Sequence, residues 1–431
     1  MRMTTDSLRG RSCRAAAGVA CLAALLVVPS APALVVNDAG QSDAGRGDVG
    51  VPRSVIVRTV HLGVTPDALL LDTRAGRVFV QASPAGNTGT TIVNALDART
   101  GALLGVRVFR RPSVVTDLLI DPGSGNLLVM TSVSPLGHGN VAPADRLQVV
   151  DSHTLAVRAV RPVRISNIGG ADVDGRTGQL YVDDLGRETV DVFASGTGRF
   201  LRSMRVPPAT AMGGGFVLDD RSQRLFVGNH VLDTRTGQVV ATIPDAAVGL
   251  YAVAERANRV ISTATIQGPT PMTSLTLLDA TTGRVVHAEQ RYGSEQDPLI
   301  DQTAGRVVRL TVYRTADGND TLSLDTIIVQ SGRILHDIDL GPDISVAADM
   351  AIDERTARAI IVQASGDAVG KAGYGNTRVA VVDLRSGRIT SNRQLELGAG
   401  PPVITVDEAT QRAFVANQGD NTVSVLDALH L

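Results

Sequence analysis

Ala413-Phe-Val-Ala-Asn-Gln-Gly-Asp-Asn-Thr-Val-Ser-Val-Leu-Asp427 decides the fold of this chain. Two short apolar runs, Ala413–Ala416 and Thr422–Leu426, flank a tight polar turn at Gln418–Asn421. Runs of this length, bounded by Gly, Asn and Asp, predict paired strands. An Asp closes the second run, and weaker copies of the whole pattern recur back to Asp67.

Each copy keeps one order. An apolar strand ends in Asp, a short turn follows, and a second strand starts, usually at Arg or Gln. A variable loop leads to a third strand ending in Leu-Asp or Val-Asp, and a turn containing Thr-Gly or Ser-Gly leads to a fourth. The first turn reads Asp72-Thr-Arg-Ala-Gly-Arg77, Asp174-Gly-Arg-Thr-Gly-Gln179 and Asp353-Glu-Arg-Thr-Ala-Arg358 in three of the eight units; the fifth unit has Ala254 in place of the Asp. The second turn reads Leu96-Asp-Ala-Arg-Thr-Gly101 and Val382-Asp-Leu-Arg-Ser-Gly387. Asp accepts backbone N–H groups two or three residues on. Gly supplies the positive φ that such a hairpin needs. An Asp that recurs in nearly every unit is therefore a turn staple before it is anything else.

The first strands are spaced 34 to 54 residues apart. Four short strands per unit at that period predict an all-β chain, a β-propeller of four-stranded blades, eight in number with seven as the alternative. The fourth unit, Gly215–Ile243, is the shortest and decides between the two counts. It retains Phe216–Leu218, Leu225–Val227, Val231–Leu232 and Val239–Ile243 as candidate strands. The last unit stops after its third strand, whereas Val55–Leu62 is a strand with no unit of its own. The ring is therefore expected to close by pairing this N-terminal strand with Thr422–Leu426 in the last blade, which removes the open ends of a repeat array.

Phe414-Val-Ala-Asn417 followed by Asp420-Asn-Thr-Val-Ser-Val-Leu-Asp427 resembles the YVTN β-propeller repeat, with Phe for Tyr and Ala for Thr. Leu397-Gly-Ala-Gly-Pro-Pro402 and Leu62-Gly-Val-Thr-Pro-Asp67 are similar to the Gly-x-x-Pro that opens that repeat. Phe226-Val-Gly-Asn229 and Tyr181-Val182 are partial matches. The resemblance implies a YncE-like or lactonase-like propeller, often exported, in a family that shares a fold more than a reaction. The chain has no Trp, which excludes the Trp-Asp repeat.

The N-terminus reads as a secretory signal over residues 1–33. Arg2, Arg9, Arg11 and Arg14 precede the apolar run Ala15–Val28; Pro29 breaks it and Ala31-Pro-Ala33 fits a small-x-small cleavage site. The run is shorter than the roughly 20 residues of a membrane-spanning helix, so no membrane span is expected after cleavage. Residues 34–50 are rich in Gly, Asp, Ala and Ser and read as a flexible linker. The propeller domain is expected over residues 51–431. Both cysteines, Cys13 and Cys21, lie in the signal, so the secreted chain would hold no disulfide and no thiolate site. Net charge is −2, and the scattered charges offer no footprint for nucleic acid.

The two Asp turns of each unit lie on one face of the predicted ring. The two–three and four–one loops lie on the other and vary: Ser132–Asp145 and Ala364–Thr377 are long, Asn229-His230 is minimal. Variable loops on a rigid scaffold are where binding usually resides. Asp117, Asp297 and Asp349 each stand four residues before the repeat Asp or its equivalent. They are candidate ligand-binding residues at the channel mouth, able to attract a cation; as strand-start caps they would need no ligand. The isolated histidines form no His-x-His, which predicts no metal site, and His138 and His230 read as solvated loop residues. No Gly-x-Ser-x-Gly elbow, phosphate loop, dinucleotide fingerprint or haem attachment motif occurs, so no catalytic residue and no cofactor is predicted. The function expected is an exported, monomeric interaction propeller that holds a small molecule or a protein at its variable-loop face. Two alternatives are a sugar-lactone hydrolase, which the resemblance implies, and an accessory subunit of a redox enzyme.

Overall fold

Alternation and burial explain which strands are conspicuous in the sequence. In the last blade the second strand, Arg412–Asn417, and the third, Thr422–Asp427, are buried on both faces for nearly their whole length. They therefore read as continuous apolar runs. The fourth strand of the preceding blade, Arg388–Leu395, exposes nearly every residue and carries Arg, Thr, Ser and Asn. Each blade repeats this gradient from a buried interior to a wet rim.

The structure is a computed structural model that describes residues 54–84, 90–110, 114–132, 144–208, 215–244, 249–266, 272–295, 298–314, 320–342, 348–364, 377–397 and 402–431. It is all-β, with eight antiparallel four-stranded blades arranged in a ring. The innermost strand of the sixth blade is in two segments, Ser294–Glu295 and Leu299–Asp301, which pair with the same neighbour. A single 3-10 turn, Glu255–Ala257, is the one helical element among the described residues, and none is long and apolar enough to cross a membrane.

The short fourth unit forms its own blade from Phe216–Asp219, Arg224–Val227, His230–Asp233 and Val239–Thr242. Eight is therefore the blade count. Closure follows the expected route. Ile56–His61 runs antiparallel to Thr422–Asp427, with Thr59 opposite Ser424 and His61 opposite Thr422. Three further bonds secure the junction: Leu62 N–H to Asn421 O at 2.9 Å, Asp427 N–H to Val55 O at 2.8 Å, and Thr65 Oγ1 to Asn421 Oδ1 at 3.0 Å.

Eight apolar clusters fill the eight gaps between neighbouring blades. Between blades seven and eight, Ile360, Val362, Val379 and Val381 meet Ile404, Val415 and Leu426, with Val55 and Ile56 of the N-terminal strand packed against them. Val60 and Leu62 belong to the next cluster, between blades eight and one. The gap between blades five and six differs. Its apolar part holds Ile261, Leu275, Leu277, Val307 and Ile327. Further along the same strands stand Arg309 and Asp325, both fully buried. Arg309 Nη2 bonds Asp325 Oδ2 at 2.7 Å and Glu289 Oε1 at 3.0 Å, and Arg291 Nη1 reaches both Asp325 oxygens at 3.1 Å. Burial raises the Asp325 carboxyl above its ordinary range, and the two guanidinium groups oppose that shift.

Candidate functional site

One face of the ring satisfies itself. The repeat Asp at the end of each innermost strand accepts turn N–H groups: Ala75 on Asp72 at 2.9 Å, Arg176 on Asp174 at 2.9 Å, Ala304 on Asp301 at 2.8 Å. In the second turn, Thr100 N–H meets Asp97 at 2.7 Å and Ser386 N–H meets Asp383 at 2.7 Å. Backbone bonds from Thr154 and an ion pair with Arg158 hold the Asp151 carboxyl well below the usual carboxylate range. The fifth blade lacks the Asp and compensates with its 3-10 turn, whose Glu255 N–H finds Gln302 Oε1 of the next blade at 3.1 Å.

These turns are also tied from blade to blade. Arg74 reaches Gly123 O at 2.7 Å, Arg176 reaches Asp220 O at 2.6 Å, Arg221 reaches Glu255 O at 3.0 Å and Arg355 reaches Glu408 O at 3.3 Å. Glu408 Oε1 accepts Glu354 N–H at 2.7 Å. Burial, with Asp353 and Glu354 close by, pushes the Glu408 carboxyl up to about 7. The turn motif thus carries the girdle of the ring, and many of its polar groups are spent on neighbours.

The candidate residues lie on the innermost strands. Asp117 is buried in Val114–Ile120, and its Oδ1 accepts the N–H of Leu118 at 2.8 Å. Asp349 lies in Ala348–Asp353; its Oδ1 accepts Met350 N–H at 2.9 Å and its Oδ2 accepts Ile404 N–H of the eighth blade at 2.8 Å. Asp297 lies outside the described residues. Asp172 shows the same device: Val173 N–H on Oδ1 at 2.8 Å and Leu218 N–H of the fourth blade on Oδ2 at 3.0 Å. An innermost strand has a free edge toward the channel. All three carboxylates accept an N–H of their own strand, and Asp349 and Asp172 also accept one from the next blade's strand. The signal was available, because Asp172 shares strand parity with the position of Asp117 and Asp349 relative to the repeat Asp.

Asp67 is a further candidate that repeat alignment hides. The strand Thr65–Asp72 is bulged between Pro66 and Ala68, so Asp67 falls outside the ladder. Bulges of this kind re-aim a side chain. Burial raises the Asp67 carboxyl above its ordinary value despite a hydrogen bond with Ser83, at the loop end of the adjacent strand. The second and third blades are bulged at the same level, around Thr116 and Gly169. His230, read from sequence as a solvated loop residue, is instead buried; the two-residue connection Gly228–Asn229 draws it into the ladder opposite Val227. His138 lies outside the described residues. Among the described residues no three His, Asp or Glu side chains stand close enough to hold a metal ion.

No protein-family model and no curated protein sequence matches the chain. Solved structures do. The C-terminal WD40 domain of Sif2 aligns over 86% of this chain and 97% of that one, at 11% identity and a TM-score of 0.53. Dihydro-heme d1 dehydrogenase NirN aligns over 77% of this chain and 67% of that one, at 12% identity and a TM-score of 0.54. BamB from Moraxella catarrhalis aligns over 86% and 98%, at 17% identity and a TM-score of 0.48. At such identities the similarity is one of architecture, the β-propeller.

Proposed function

We propose that this chain is an exported interaction propeller that holds a protein or small-molecule partner at its variable-loop face and catalyses no reaction of its own. The contrast between the two faces carries the reading. The turn face repeats one short motif and uses its polar groups to bind itself together. The opposite face receives connections of very unequal length, from the tight Gly228–Asn229 to the span between Ser132 and Ala144. Such unequal loops on a uniform ring are the arrangement of a binding face. Asp67, with its raised carboxyl, and Asp117 and Asp349 stand on innermost strands at the rim of the channel in this reading. The YVTN-like identity rests on the last blade, and export rests on the N-terminal signal pattern.

The test uses full-length protein made in an export-competent host. N-terminal sequencing of the secreted form is expected to start at Leu34 or a near neighbour. Replacing residues 133–143 with a two-residue Asn-Gly turn is expected to abolish recovery of the co-purified partner while leaving the melting temperature unchanged. Retention of the intact chain in the cytosol would overturn export. Turnover of a sugar lactone that disappears in Asp67→Asn or Asp349→Asn would replace this reading with a hydrolase.

A further inference from the structure

The outer rim of the ring is not uniform in charge. The exposed residues of the outermost strand of blade one are Leu104, Val106 and Val108. Those of blade four are Val239, Val240 and Thr242. Blades two and three differ. Their outermost strands, Val157–Ile165 and Arg199–Arg205, expose a series of arginines. Among the described residues Arg164, Arg199 and Arg205 have no carboxylate partner, and neither has Arg146 on the adjoining strand. Arg161 bonds the Thr197 carbonyl, and Arg202 bonds the carbonyls of Thr234 and Arg235 and the Tyr181 hydroxyl, all neutral groups that leave the charge uncompensated. The chain as a whole is slightly acidic, at −2, so this stripe is a local choice and not a by-product of composition.

The stripe is continuous across the two blades. Arg161 crosses from blade two to the Thr197 carbonyl of blade three, and Arg187 of blade three reaches back to the Arg164 carbonyl at 3.1 Å. It also has a direction. Arg199 pairs with Ala194 beside the turn face, and Arg205 pairs with Thr189 at the far end of the same strand. The cations therefore run along the strand, from the turn face to the loop face. Apolar groups stand between them: Val160, Leu201 and Phe200, the last 52% exposed and fixed edge-to-face on Phe193 at 5.7 Å. In each of these blades the outermost strand pairs on one side only.

We infer that the rim of blades two and three is a docking surface for an extended acidic segment of a partner protein. The free strand edge offers backbone N–H and C=O groups to an added strand. Arginine guanidinium groups offer paired donors to its carboxylates. Val160, Phe200 and Leu201 take its alternate apolar side chains. A linear stripe with apolar anchors fits an extended chain better than the plane of an anionic membrane. The proposal is independent of what the loop face binds.

Fluorescence anisotropy of the full chain with a labelled peptide of alternating Asp and Val tests it. Binding is expected at low salt and is expected to weaken as salt rises. Arg164→Glu with Arg205→Glu is expected to weaken it at least about tenfold, and the milder Arg199→Gln with Arg205→Gln in the same direction, with melting temperatures unchanged. Arg333→Glu, an exposed arginine on blade six, is expected to leave binding alone. Absence of peptide binding at low salt, binding by both rim variants equal to that of the parent, or binding to phosphatidylglycerol vesicles or duplex DNA without binding to the peptide would overturn it.

Discussion

Blades seven and eight meet through aliphatic side chains, whereas blades five and six meet partly through buried charge. The first contact sets Ile360, Val362, Val379 and Val381 against Ile404, Val415 and Leu426. The second places Arg309 where equivalent strands put Val80, Val129, Ile361 and Val415, opposite Asp325 at a position that holds Asn94, Gln148 and Ser424 in other blades. Both gaps are closed and both blades fit the same ring, so propeller geometry does not require an apolar seam. What differs is the response to damage. Aliphatic packing degrades in proportion to the atoms removed. A buried ion pair fails abruptly when one partner is lost, because the other charge stays buried without compensation.

The largest effect is expected from removing the strand that completes the apolar seam. Deletion through Leu62 takes Val55 and Ile56 from one cluster and Val60 and Leu62 from the next. At roughly 1.5–3 kcal/mol for each buried side chain, the loss approaches the ~5–15 kcal/mol stability of a typical domain. Calorimetry should find no cooperative melt, whereas deletion of residues 34–50 alone should leave the melting temperature unchanged. Equal melts for the two truncations would show that closure does not depend on this strand.

Asp325→Ala is expected to cost about 3 kcal/mol, since it leaves the buried Arg309 with Glu289 as its remaining carboxylate partner and Arg291 with Asp337. Chemical denaturation of the variant measures it. The double change Arg309→Met with Asp325→Leu converts the charged seam to the apolar kind, and is expected to melt at or above the parent temperature. A double variant as weak as Asp325→Ala would mean that the charges contribute more than packing can replace.

The smallest effect concerns Glu408, whose carboxyl links the turns of blades seven and eight. Glu408 of blade eight titrates near 7, against an ordinary 4.5, chiefly through burial. The unfolded chain gives up this proton first as pH rises, so the group lowers stability progressively from about 4.5 to about 7 and by a constant amount above that. Glu408→Gln keeps an oxygen for the Glu354 N–H. It is expected to raise the melting temperature at pH 8 and to leave it nearly unchanged below pH 4.5.

The blade count, the order of strands and the closing partner were legible because the inner strands are buried on both faces and end in a repeated Asp. The outer strands were harder to read, since residues such as Thr390, Asn392 and Arg393 answer to solvent and carry no repeat signature. Residue types at the turns were readable only in part. Gly76, Gly125, Gly178 and Gly305 take the left-handed position, but Gln223, Asn258, Ala357 and Gln411 take it in the other blades, at a steric cost that packing sustains. The burial of Arg309 lay beyond reach. An Arg in a strand predicts exposure, and only the neighbouring blade, through Glu289 and Arg291, shows how it is held. At the candidate site, strand position was predictable for Asp117 and Asp349. The cross-blade partner of Asp349, Ile404, comes from a blade more than fifty residues away in sequence and leaves no local trace.

The pairing of Thr59 with Ser424 also sets a timetable. Every other blade can assemble from a continuous stretch as it leaves the ribosome or a translocation channel. The eighth cannot, because it joins the first and last strands of the described residues. Loop closure over most of the chain is slow relative to the local hairpins that precede it. Until the C-terminal hairpin arrives, the growing molecule is an open arc of seven blades with an unmatched strand at its start. The chain therefore has a built-in delay: the ring acquires its final rigidity only once Thr422–Asp427 is available to pair with Ile56–His61.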